Sequence, residues 1–235
     1  MKIWIISDPV DFQFARANIQ GTWSPMKNEF KICPECTQPL HKRIKPLVIE
    51  WESGSDVIGD FLWPEFASIA VSERSFKALE SQFQGFERGP VEMIQDPKLI
   101  RPKRITKRTT PRIWLPYESI PLHELWVTSW VHIDMHKSSV EYEKKCGTCT
   151  QEFYKITGIE HSELSWNSYL GVMYKTRTPR EPGQGVFIDN ASLKGADIFR
   201  VHEFPAWTLC TDRVREFIEK ENLTNVTCFE MGEAT

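Results

Sequence analysis

The sequence predicts an α+β fold made of two similar strand-helix-strand units on mainly antiparallel sheet, and three observations lead there. A segment near the end of the chain matches one in its first half. Each copy runs a short apolar strand into an amphipathic helix that opens on a capping residue. Each half also holds one Cys-x-x-Cys pair set among polar, strand-like residues.

The elements follow in order. Lys2–Ile6 reads as the first strand, and 28–32 as a second that runs into Cys33-Pro34-Glu35-Cys36. Pro46–Trp51, PLVIEW, suits a buried strand, and Ile69–Val71 another. A helix is expected over Ser72–Phe83: Ser72 caps it, Glu73 suits its positive end, and Phe76, Leu79 and Phe83 share one face. Further strands are expected at Glu124–Asp134, at Val140–Lys144 leading into Cys146-Gly147-Thr148-Cys149, at Gln151–Ile156 leading out, and at Val186–Ile188. Thr176–Gly185, with two prolines and two glycines, reads as a loop.

The repeat aligns GDFLWPEFASIAVSERSFKALE from Gly59 with ADIFRVHEFPAWTLCTDRVREFIE from Ala196. Asp60 matches Asp197, Glu65-Phe66 matches Glu203-Phe204, and Ser72-Glu73-Arg74 matches Thr211-Asp212-Arg213. Both copies end on a strand carrying Glu-Met, at Glu92-Met93 and Glu230-Met231. The expected organisation is an N-terminal half over 1–100, a basic loop over 101–112 and a C-terminal half over 113–235, with closure into one compact domain left open.

Composition sets limits on function. The chain has 235 residues, 40% of them hydrophobic, enough for a sizeable core. Its formal charge is −3, which removes a general attraction to nucleic acid or anionic lipid. The apolar run Ile3–Ile6 stops at Ser7-Asp8-Pro9, too short for a signal-peptide core, and no later run reaches 18 apolar residues. A cytoplasmic protein without membrane contact is therefore expected. One local exception is RPKRITKRTTPR over Arg101–Arg112, with six Lys or Arg and no acid. It reads as a solvated loop or a contact for an acidic partner.

In a reducing compartment, close cysteine pairs are metal ligands more often than disulfides. Cys33, Cys36, Cys146 and Cys149 supply four thiolates, the ligand count of a closed structural zinc site with no vacancy for water. A redox or free-thiol role is the alternative. Such a zinc contributes on the order of 10 kcal/mol to folding. Cys210 and Cys228 read as small buried hydrophobes, and His132 and His136 as a surface turn, since i,i+4 spacing on a strand does not converge on one centre. No phosphate loop, nucleophile elbow or helical HExxH is present, so no enzyme is indicated.

With both knuckles and the C-terminal GADIFRVHEF and TDRVREFIEKENLTNV in hand, the chain resembles the double-CXXCG motif family, myxobacterial paralogues regarded as immunity proteins of swarming-inhibition toxin systems. The C-terminal unit also looks like that of other immunity families in polymorphic toxin systems. Thr37 and Thr150 stand where the family has glycine, a residue that permits left-handed backbone beside the metal. The resemblance implies a non-catalytic protein that binds and neutralises a cognate protein toxin. By residue type, its interface candidates are Trp23, Trp63, Trp114, Trp126, Trp166, Arg177 and Arg180. The alternative function is a zinc-ribbon nucleic-acid-binding protein using the 101–112 loop; an uncharacterised enzyme stands third.

Overall fold

A computed structural model describes residues 1–9, 13–20, 22, 33–37, 43–52, 55–65, 67–94, 120–167 and 172–235. Its strands are β1 (Lys2–Ser7), β2 (Ala17–Ile19), β3 (Leu47–Trp51), β4 (Phe61–Glu65) and β5 (Ser68–Ser72), followed by helix α1 (Glu73–Glu80). Then come β6 (Phe86–Met93), β7 (Leu122–Val127), β8 (Trp130–Val131), β9 (Val140–Lys145), β10 (Glu152–Ile156), β11 (His161–Asn167), β12 (Val172–Thr178) and β13 (Val186–Ile188). A 3-10 turn at Asn190–Leu193 precedes β14 (Ile198–Val201), β15 (Leu209–Thr211), helix α2 (Asp212–Lys220) and β16 (Thr227–Ala234). Strands dominate, the helices are few and short, and the sheets are mixed.

One six-stranded sheet has the order β2-β3-β6-β7-β5-β4 and the other β13-β16-β1-β15-β14-β8. In the first, β3 and β6 are parallel and every other neighbour is antiparallel. In the second, β13 and β16 are parallel, as are β14 and β8 at the far edge. Read from each first parallel pair, β3-β6-β7-β5-β4 and β13-β16-β1-β15-β14 repeat one order and one set of directions. The middle strand comes from elsewhere in the chain each time. β7 lies after the strand-helix-strand run it completes, whereas β1, from the start of the chain, fills the C-terminal sheet. Two hairpins, β9-β10 and β11-β12, stand outside these sheets.

Helix α1 forms where expected, although it ends at Glu80. The Ser72 hydroxyl accepts the Ser75 N–H, and Phe76 and Leu79 are buried. Helix α2 buries Val214, Phe217 and Ile218. Thr211 precedes α2 but makes no such cap; its hydroxyl donates to Asp197 instead. Both helices join one central core with Ile6, Phe61, Val71, Leu125 and Ile198, where Phe83 and Phe217 meet edge to face at 5.2 Å. Separate apolar clusters include residues of each sheet's other side: Leu47, Ile49 and Trp51 on one, and Ile3, Phe199 and Met231 on the other.

Two aspartates seal the two sheets together. Asp60 accepts the Thr224 N–H and hydroxyl at 2.9 Å each, beyond α2, and the Ser75 hydroxyl at 2.6 Å, in α1. Asp197 accepts the Gln84 N–H, beyond α1, and pairs with Arg213 of α2 at 2.9 Å. Around them, Asn225 donates to the Phe61 carbonyl and Trp63 to the Asn225 carbonyl. Gly85 must be glycine here: its φ is +106°, and a Cβ would lie 2.0 Å from the Ile198 carbonyl oxygen.

Some expectations change. The run Glu124–Asp134 breaks after Val127, where Thr128 and Ser129 both donate to the Gly85 carbonyl. The Thr176–Gly185 segment begins as strand, since β12 continues to Thr178. The strand at 28–32 and the basic loop at 101–112 lie outside the described residues. Among the described residues no helix is long and apolar enough to cross a membrane.

Candidate metal centre

Both knuckles fold as the same turn. The Thr37 N–H donates to the Cys33 carbonyl at 2.9 Å, and the Thr150 N–H to the Cys146 carbonyl at 3.0 Å. Thr37 and Thr150 lie in the left-handed region, with φ of 60° and 62°. Glycine adopts this conformation without cost, whereas a β-branched residue is strained there.

The second knuckle tips a hairpin. Strands β9 and β10 pair Lys145 with Glu152, and the Cys146 N–H closes the turn on the Gln151 carbonyl at 2.8 Å. The two knuckles, 113 residues apart, bring four sulfurs within 4.8 Å of one another. Cys33 and Cys146 sulfurs are 3.6 Å apart, and Cys36 and Cys149 sulfurs 3.4 Å. A tetrahedral zinc with Zn–S of about 2.3 Å has sulfur–sulfur edges of about 3.8 Å, so the donor set fits such an ion after small adjustments. Among the described residues this is the one group of three or more His, Cys, Asp or Glu placed to share a metal.

Ionisation of the set is uneven. The Cys36 N–H draws the Cys33 thiol down to about 7, against the opposing effect of burial. The Cys149 N–H pulls on Cys146 likewise, but burial and the neighbouring thiols of Cys149 and Cys33 outweigh it and push Cys146 up to about 12. Successive thiolates at these distances repel, and a divalent cation between them removes that cost.

Sequence reasoning missed Glu35. Its carboxylate reaches across to the other knuckle, accepting the Thr148 hydroxyl at 2.8 Å, the Thr148 N–H at 3.0 Å and the Gly147 N–H at 3.1 Å. The Thr148 hydroxyl, followed by the Gly147 N–H, holds this carboxyl below its ordinary range. The only hint in the sequence is asymmetry: one knuckle carries Pro-Glu and the other Gly-Thr.

The remaining candidates do not join the centre. His132 pairs with Glu203 at 2.8 Å and stacks on His202 at 4.2 Å. His136 follows Asp134, whose carboxylate caps the turn through the N–H groups of His136 and Lys137. Cys210 is buried on β15, where burial pushes its thiol well up, and Cys228 lies on β16. Arg180 was an interface candidate by type; its side chain is 6% exposed and ion-pairs with Glu230 and Glu233, so it braces β16. Arg177 pairs with Glu160 and donates to the Cys228 carbonyl. Trp63 belongs to the seam between the sheets. Trp23, Trp114 and the side chain of Trp166 lie outside the described residues.

No protein-family model matches the chain, and no curated protein matches it in sequence.

Proposed function

We propose that this protein is a non-catalytic immunity protein that binds and neutralises a cognate protein toxin in the cytoplasm, with one zinc ion as a structural clip between two related halves. The observation that carries the structural role of the metal is the convergence of four cysteine sulfurs, with Cys33 and Cys146 buried. Four thiolates fill a tetrahedral zinc and leave no position for water or substrate. The repeated strand order of the two sheets, with a knuckle in each half, supports descent of the halves from one unit. The resemblance to double-CXXCG immunity proteins supplies the partner. In that reading the "aDiFr" segment at Asp197 and the Leu223-Thr224-Asn225 turn serve the seam, and the toxin meets another surface.

Co-expression tests it. Cells carrying the toxin encoded beside this gene should survive when this chain is present and should die without it. The purified pair should form a stable complex. If the wild-type chain neither binds nor protects, the immunity reading is wrong.

A further inference from the structure

The four sulfurs of the metal centre are not equally placed. Cys33 and Cys146, one from each knuckle, are buried and lie 3.6 Å apart. Cys36 and Cys149, again one from each, are half-buried and lie 3.4 Å apart. The centre therefore has an inner pair shielded from solvent and an outer pair that solvent reaches, and both pairs cross between the knuckles. On the outer side Cys149 lines an open cleft of about 330 Å³, walled also by His132, Tyr154 and His202. A hydroperoxide as small as hydrogen peroxide, little larger than the about 30 Å³ that a water molecule occupies in the liquid, enters such a space readily.

A solvent-accessible thiolate is the form of cysteine that peroxides oxidise, and a second thiolate poised beside it turns that oxidation into a disulfide. Coordination by zinc keeps a cysteine deprotonated, so the structural role does not remove the nucleophile. Sulfurs at 3.4 Å are already in van der Waals contact, and a small shift shared by two side chains closes the bond. A disulfide within either knuckle would join an outer sulfur to a buried one. Only in the outer pair do both sulfurs reach solvent, where the hydroxide released in each step is hydrated.

We infer that Cys36 and Cys149 form a peroxide-reactive pair, in which Cys149 is oxidised first and Cys36 resolves it to a disulfide that replaces the metal clip with a covalent one. The inference rests on the zinc-clip reading of the four cysteines. The Cys149 thiolate attacks one oxygen of the hydroperoxide; the O–O bond breaks, a sulfenic acid forms, and the other oxygen leaves with the electron pair and takes a proton from solvent. The Cys36 thiolate then attacks the oxidised sulfur; the S–S bond forms, the S–O bond breaks, and the departing hydroxide is protonated in turn. Two thiolates lose two electrons in all, and one hydrogen peroxide is reduced to two waters. Cys33 and Cys146 remain as half of a tetrahedral donor set, too few to retain zinc, while the knuckles stay joined.

The test uses the full-length, zinc-loaded chain and hydrogen peroxide, with a zinc-sensitive dye to read release and peptide mapping to read bonds. About one zinc per chain should be released in step with a cross-link between Cys36 and Cys149, and a thiol reductant with added zinc should reverse both. On Cys36→Ser, dimedone should trap a sulfenic acid at Cys149. Cys228, half-buried on β16, is the internal comparison and should react at least about tenfold more slowly. A disulfide within either knuckle, first oxidation at Cys33, Cys146 or Cys228, or a cross-link formed with zinc retained would each overturn the pair. So would a chain left unmodified by peroxide that oxidises free glutathione in the same tube. If Cys36→Ser does not fold, the wild-type map decides alone. If the purified chain carries no zinc, the clip reading fails, and the map of the metal-free chain still decides the disulfide.

Discussion

The two knuckles share a backbone and differ in support. The second is the tip of the β9-β10 hairpin, and its turn is closed by the ladder beneath it. The first has its turn hydrogen bond, and Glu35 reaches from it into the N–H groups of the other. Cross-knuckle bonding runs from the backbone and the Thr148 hydroxyl of one partner to the carboxylate of the other. Identical Cys-x-x-Cys spacing therefore conceals a difference among the described residues: the second turn stands on a hairpin, and the first reaches across to it through Glu35.

Removing the metal should break this comparison most severely. Chelation, or Cys33→Ser or Cys146→Ser, should remove about one zinc per chain by elemental analysis and lower stability by several kcal/mol, out of the order of 10 kcal/mol that such ions contribute. Hydrogen exchange should then show residues 33–37 losing protection before the β9-β10 hairpin. Simultaneous loss would mean the second turn is not preformed.

A smaller effect separates clip from seam. Asp60→Ala and Asp197→Ala should each cost about 2–3 kcal/mol in denaturant melts, because each strands donors from both halves, while zinc content stays constant. Next, Glu35→Ala should weaken zinc about tenfold in a competition titration, as outer-shell losses do, and Thr148→Val, which removes one hydroxyl, should weaken it less. The smallest change has the opposite sign. Thr37→Gly and Thr150→Gly should each raise stability by about 0.5–1 kcal/mol in thermal melts, by relieving left-handed threonines.

Much of the local structure was legible. Ser72 announces α1 because its side chain has a backbone donor to cap, and the apolar spacing of Phe76 and Leu79 fixes the face that packs. The four cysteines were legible because thiolate pairs carry their geometry with them. What joins distant segments was not. Glu35 reads as an ordinary turn residue until the other knuckle is beside it. Asp60 and Asp197 read only as matching positions of the repeat, yet each binds the turn beyond the helix of the other copy. Arg180 reads as a loop cation and is buried between two glutamates. In each case the partner lies dozens to more than a hundred residues away, beyond the range of periodicity or capping patterns.

The placement of β1 has a further consequence, for how the chain is made. Strand β1 is made well before its two neighbours, β15 and β16, which follow it by about 200 residues. The other six-stranded sheet is complete once β7 has emerged, so it can close while β1 still waits with both edges unpaired. An unpaired apolar strand is prone to wrong pairings, and contacts of such long range are slow to form. The nascent chain therefore carries β1 in need of shelter until β15 covers one of its edges and β16 the other.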